Sequence, residues 1–263
     1  MIYVKIFIVI LSNKNRYKEV SCKMKILALD TSNRPLSVAV LEDDTLLAET
    51  TLNMVRKHST TLMPIISEML QKSDTTPHDL DRIVVSAGPG SYTGLRIGVT
   101  AAKTLAFTLN KELVGVSSLE LLAANCQNDT AELLVPVFDA RRENVFVGVY
   151  QNKAGKLVEV LPDQHLSVVE LCEFLKDKKV CLIGDAKVYR ERFEELLTAD
   201  NYRFSAPKDD YPSAYLLGLL GKDRPVADTL TFVPHYLRLT QAEVQWMEKH
   251  PGKDQADSYV EKV

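Results

Sequence analysis

Apolar and polar positions along the chain follow two periods, and both recur in each half. Lys25–Asp30 (KILALD) is an apolar run closed by a carboxylate, which predicts a buried strand. Residues 36–41 and 46–52 alternate on either side of Glu42-Asp43-Asp44, the pattern of a hairpin. Leu62, Ile65, Ile66, Met69 and Leu70 then recur at helical spacing, with Pro64 either in the first turn or at a kink. A strand over 82–87, a helix over 94–109, a short strand over 112–116 and a helix that Ser118 could cap complete this half. Moving 109 positions along the chain brings a similar unit: Leu134–Asp139 matches Lys25–Asp30, and Val145, Val147 and Val149 fall on Leu36, Val38 and Val40. Ser167-Val168-Val169-Glu170 reads as a capping box that opens a helix through Leu175. A strand over 180–184 and a helix over about 186–197 follow. The alternation predicts an α/β protein with mixed sheets, built as two related halves.

The ends of the chain look different. Residues 2–11 are almost wholly apolar, but Lys5 interrupts them and the basic residues come afterwards, the reverse of a signal peptide. Ten residues are also too few to span a bilayer. Met24 is therefore expected to be the true start, with 1–23 an extension outside the fold. Residues 24–130 and 131–250 are expected as the two halves, and 251–263 as a polar tail. Among the 263 residues, 32 Lys and Arg stand against 35 Asp and Glu, a net charge of −3 that disfavours autonomous RNA binding. Cys22, Cys126, Cys172 and Cys181 form no CxxC pair, which argues against a zinc site or disulfide framework and fits a reducing cytoplasm.

The sharpest local motif is Gly88-Pro89-Gly90-Ser91-Tyr92-Thr93-Gly94-Leu95-Arg96-Ile97-Gly98, between a strand and a helix. It is neither a dinucleotide fingerprint, since Thr93 stands where Gly is needed, nor a Walker A loop, since no lysine follows Gly94. Two readings stay open: a phosphate held by a helix N-terminus, or a tight turn whose glycines allow close backbone packing.

Together with KILALDTS, VGVSSLELLA, PVFDARRENVF and Tyr236-Leu237-Arg238, this motif resembles the TsaB (YeaZ) family over essentially all of residues 24–250. The resemblance implies a duplicated actin-like ATPase (ASKHA) fold with two mixed-sheet halves. It also implies a non-catalytic scaffold and activator in threonylcarbamoyladenosine (t6A) modification of ANN-decoding tRNAs. The implied partners are a TsaD-like subunit and a TsaE-like ATPase, with tRNA reached only through the complex and a homodimer as a further assembly. No membrane association is expected. The rival reading is an independent kinase of the same fold acting on a small molecule.

The resemblance also directs attention to particular residues. Catalytic relatives hold a metal through HxxxH, and the matching positions here are Ser118 and Leu122, neither an imidazole, so no metal is expected. His58, His78, His165, His235 and His250 are scattered, and His58 reads as a solvated or capping residue. Asp30, Thr31 and Ser32 on the first hairpin and Asp139 on the second are the candidate nucleotide contacts. Ala140, Arg141 and Arg142 stand in place of glycine and threonine after Asp139, where bulky arginines would crowd a phosphate although as cations they could equally bind one. Asp30 and Asp139 could also simply cap strand ends, and weak or absent nucleotide affinity is expected. No cofactor is expected to be firmly bound, with ATP or ADP entering at the level of the complex. In the helix over 94–109, Gly94, Gly98, Ala102 and Ala106 form a row of small residues. The row could lie against the chain's own sheet, but the resemblance tips it towards a partner interface.

Overall fold

The computed structural model describes residues 23–53, 58–127 and 133–238. The extension expected before Met24 and the tail expected from 251 lie outside the described residues, apart from Lys23. Two five-stranded mixed sheets carry the fold. The first contains β1 (Lys25–Asp30), β2 (Pro35–Glu42), β3 (Thr45–Asn53), β4 (Arg82–Gly88) and β5 (Glu112–Ser117), in the spatial order β3-β2-β1-β4-β5. The second contains β6 (Leu133–Arg141), β7 (Asn144–Lys153), β8 (Lys156–Ser167), β9 (Val180–Gly184) and β10 (Tyr202–Phe204), ordered β10-β9-β6-β7-β8. Read from the other edge, the second order is the first repeated. The directions repeat too: each sheet pairs its first three strands antiparallel and its last two parallel to the leading strand's side. The duplicated actin-like architecture expected from the sequence is therefore present.

Each sheet buries both faces. On the first, Leu27, Leu29, Leu36, Val38 and Val40 pack under α1 (His58–Lys72) and α2 (Tyr92–Leu109). The opposite face, with Ile26, Ala28 and Val84, is covered by α6 (Ala214–Lys222). On the second, Val135, Val137, Val145 and Val147 pack under α4 (Val168–Leu175) and α5 (Arg190–Leu196). The other face, with Leu134, Phe138 and Ile183, receives Leu119 and Leu122 of α3 (Ser118–Ala124). Each fully buried leucine or valine contributes about 1.5–3 kcal/mol, so these four clusters dominate stability.

Several local expectations need correction. Ser117, not Ser118, caps α3: its Oγ accepts from the Leu119 and Glu120 N–H groups at 3.1 Å each. Pro64 lies in the second turn of α1, beyond the first turn where its missing N–H would be harmless. The helix expected over 186–197 is a 3₁₀ turn (Asp185–Tyr189) followed by α5. The repeat is also not uniform. Val38 pairs with Leu29, while its counterpart Val147 pairs with Val137, so β1 maps onto β6 one residue short of the 109-residue step. Phe138, rather than Asp139, therefore occupies the place of Asp30.

Candidate functional site

The loop after β1, the N-terminus of α2 and the tip of the β6–β7 hairpin meet at a cleft of about 760 Å³ between the halves. The first candidate acid does not open into it. Asp30 is fully buried, and its carboxylate accepts from Ser32 N at 3.2 Å and Ser32 Oγ at 3.0 Å. Burial pushes the Asp30 carboxyl above the usual carboxylate range, against the hydroxyls of Ser86 and Ser32 and the Ser32 amide. The glycine loop closes over this acid. Ser91 N donates to Ser32 O at 2.7 Å, and a Cβ on Gly90 would stand 2.2 Å from that same oxygen. Of the two readings of the motif, this geometry is close backbone packing. Thr31 is likewise turned inward, donating from Oγ1 to Gly94 O at 2.7 Å.

The second candidate acid lies at the cleft but is already engaged. Asp139 Oδ1 accepts from Tyr189 OH at 2.6 Å and from Arg141 N at 2.7 Å, and Oδ2 pairs with the Arg141 guanidinium at 3.1 Å. Burial, and then the Asp139 hydrogen bond, push the Tyr189 phenol up, so it stays a donor. Across the cleft, Asp185 Oδ2 accepts from both Asn33 Nδ2 and Asp139 N at 3.1 Å, tying the two candidate loops together. His58 Nε2 lies 3.0 Å from Asn33 O, so it joins the same loop rather than facing solvent. Asn33, Asp185 and Tyr189 were not foreseen, because nothing in their spacing connects them; only folding brings positions 33 and 185 together.

The positions equivalent to metal ligands do not fit a metal. Leu122 packs in the core against Gly184, where a Cβ would come within 2.6 Å of its side chain. The Ser118 hydroxyl is buried, without a hydrogen-bond partner among the described residues. Among the described residues, no three His, Cys, Asp or Glu side chains gather as a metal set.

The small row on α2 faces the opposite way from expectation. Gly94, Gly98, Ala102 and Ala106 are all buried, Ala102 completely, and a Cβ on Gly98 would stand 2.3 Å from Thr31 Oγ1. The row lets α2 lie tightly on its own sheet and the β1 loop, which removes it from any partner's reach. The outward side of the helix is instead partly apolar. Phe107 is 68% exposed, and Met63 of α1 is 48% exposed. A groove of about 770 Å³ runs between the two helices, lined by Met63, Tyr92, Ile97, Thr100, Ala101 and Leu105. Met63 falls off the buried helical stripe of α1, and Phe107 stands alone among polar neighbours; those two irregularities were the signal in the sequence.

The Tyr236-Leu237-Arg238 segment closes the arrangement. His235 N donates to Ala87 O at 2.7 Å, the Tyr236 ring lies 4.9 Å from that of Tyr92, and Arg238 donates to Ala140 O at 2.9 Å. The segment thus touches both halves at the cleft. Farther from it, Ser117 Oγ and Tyr150 OH donate to the two oxygens of Asp163, at 2.5 and 2.6 Å, again joining the halves. No described helix is long and apolar enough to cross a membrane.

Comparison with known proteins agrees with this geometry. The family model described as "TsaD: tRNA N6-adenosine threonylcarbamoyltransferase" matches residues 45–246. The tRNA threonylcarbamoyladenosine biosynthesis protein TsaB of Bacillus subtilis is 43% identical over 228 residues, 86% of this chain and 99% of that one. The TsaB protein of Haemophilus influenzae is 29% identical, over 88% of this chain and 99% of its own. The solved structure of YeaZ from Pseudomonas aeruginosa aligns with a TM-score of 0.69 at 25% identity, covering 81% of this chain and all of that one. By the identity and coverage of these relatives, the chain belongs to the TsaB family of tRNA threonylcarbamoyladenosine biosynthesis proteins.

Proposed function

We propose that the chain is a non-catalytic subunit that pairs with a TsaD-like protein, and with a TsaE-like ATPase, to support t6A formation in the cytoplasm. The observation that carries this reading is the state of its would-be catalytic positions. Leu122 is core hydrocarbon where a catalytic relative needs an imidazole, Asp30 is sealed beneath the glycine loop, and both oxygens of Asp139 are already engaged. A kinase would need an acid and a phosphate loop open to its substrate. The outer faces of α1 and α2 are the surface offered to the TsaD-like subunit. Met63, Phe107 and the groove between the helices leave apolar area exposed that a partner helix would cover. tRNA is then met by the assembled complex.

Affinity purification of the full chain from its own cells, with the TsaD-like protein as the sought partner, tests the pairing. Stoichiometric co-purification is expected. Its absence, or substrate-dependent phosphate release by the chain alone, would favour the kinase reading.

A further inference from the structure

The cleft rim carries a feature that the proposed pairing does not use. Arg141, Arg142 and Glu143 form the tip of the β6–β7 hairpin, and all three adopt left-handed backbone conformations, with φ of 71°, 55° and 56°. Such a run is costly for residues with a Cβ. It is held by Arg141 N donating to Asp139 and by Asn144 Nδ2 donating to the Arg141 and Arg142 carbonyls at 3.3 and 2.7 Å. The outcome is a braced turn that presents two adjacent arginines outward, with Arg141 83% exposed at its side chain.

Two more arginines share this rim. Arg34 lines the same cleft as Arg141 from the opposite half. Arg238 is anchored to Ala140 O, one residue from the tip. Arg34, Arg142 and Arg238 make no ion pair among the described residues. Beside them stands the Tyr236 ring, 39% exposed and backed by Tyr92, which Arg96 in turn holds at 5.4 Å. Arginines along a cleft rim, with an exposed, supported aromatic ring two residues from one of them, are the composition that grips phosphodiesters and stacks an unpaired base.

We infer that this rim is a contact surface for single-stranded RNA: Arg34, Arg141, Arg142 and Arg238 meet backbone phosphates while Tyr236 stacks on an unpaired base. A continuous polyanion fits better than a free nucleotide. The arginines are spread around an open rim in contact with water, whereas a small anion needs donors converging in a desolvated pocket. The net charge of −3 keeps the interaction weak in isolation, so it acts when a partner holds the RNA in place. The inference rests on the t6A reading for the identity of that RNA, a tRNA anticodon stem-loop, but its test does not depend on the pairing.

The test is fluorescence anisotropy of the full chain with a labelled RNA stem-loop that has an unpaired loop, across a salt series. Wild-type protein at low salt is expected to bind with a dissociation constant of roughly 10–100 µM, weakening steeply with salt. Arg142→Glu alone is expected to weaken binding several-fold, and Arg142→Glu with Arg238→Glu about ten-fold or more, with a shallower salt slope. Tyr236→Ala should weaken the stem-loop but not a fully paired duplex. Only the Arg142 carbonyl braces the turn, and its side chain makes no ion pair among the described residues, so an unchanged melting temperature keeps that variant decisive. Lys156→Glu, at the exposed start of β8 and outside the cleft lining, is the charge control. Absence of binding by the wild-type chain, equal binding by all variants, or ATP displacing the RNA at its own low-micromolar concentration would each overturn the inference. Co-purification with the TsaD-like subunit is scored on the same proteins, so failure of the pairing and failure of the RNA contact are read separately.

Discussion

Replacing Gly98 by leucine should unfold part of the chain's stability rather than merely remove a partner. A Cβ alone would stand 2.3 Å from Thr31 Oγ1 and 3.7 Å from Val85 Cγ2. Thr31 is buried, and its hydroxyl donates to Gly94 O at 2.7 Å, so moving it aside strands a polar group. That loss costs about 1–3 kcal/mol. Forcing the remaining leucine carbons between α2 and β4 adds roughly 1–3 kcal/mol of overpacking. Better helix propensity returns about 0.8 kcal/mol. The net is about 3 kcal/mol, and at about 2–4 °C per kcal/mol for a chain of this size the melting temperature falls by roughly 6–12 °C. Gly98→Ala should cost less, and much of its penalty should disappear in the Thr31→Ala background, where the clashing oxygen is gone. The coupling in that double-mutant cycle is about 1 kcal/mol. Urea denaturation and thermal melting of the full chain supply the numbers. If Gly98→Leu melts within about 2 °C of the wild type and loses only its partner, α2 is not packed as described.

Met63→Asp and Phe107→Asp should leave stability within about 1 kcal/mol, as for other exposed sites, yet weaken association with the TsaD-like subunit at least ten-fold by surface plasmon resonance; unchanged association moves the docking surface elsewhere. Calorimetry should find ATP binding no tighter than a dissociation constant of about 0.1 mM, or about −5.5 kcal/mol, and elemental analysis no stoichiometric metal; micromolar ATP affinity or one equivalent of iron or zinc after chelation refutes the corresponding claim. Asp30→Asn tests the buried acid through pH. Because the folded-state pKa of Asp30 is raised above 3.8 by burial, the native state binds the extra proton. Stability then falls as pH rises through that window. The variant should therefore gain on the wild type between acidic and neutral pH and lose that advantage below the unfolded pKa; a gap that widens on acidification contradicts the assignment.

Local signals in the sequence were legible where one segment determines its own structure. Ser167 and Glu170 form the reciprocal capping box that their spacing announces, with Ser167 N donating to Glu170 at 2.8 Å and Glu170 N to Ser167 Oγ at 3.2 Å. The hairpin around Asp43 and the buried stripe of α1 follow their periods in the same way. Misreadings arose where two segments decide together. A row of small residues is compatible with an inner or an outer neighbour, and only the position of Thr31, 67 residues before Gly98, selects the inner one. The one-residue offset between β1 and β6 is invisible in an ungapped match, yet it exchanges the face on which Asp139 stands. The helix α6 was not anticipated because Ala-Tyr-Leu-Leu-Gly-Leu-Leu-Gly is apolar on most sides. Its glycines Gly218 and Gly221 come against Leu41 and Val84, a contact that no periodicity encodes. The strand β8 contains Pro162 and is half-exposed, which blurs its alternation.

The central claim is that this chain enables t6A formation without performing chemistry itself. The direct measurement is the t6A content of unmodified tRNA incubated with the TsaD-like subunit, the TsaE-like ATPase, ATP and the threonylcarbamoyl donor, with and without this chain, read by mass spectrometry of the digested nucleosides. The account predicts t6A only when the chain is present, at an undiminished rate with Asp139→Asn. Equal t6A without the chain, or a rate abolished by Asp139→Asn in a variant that still folds and pairs, would contradict it.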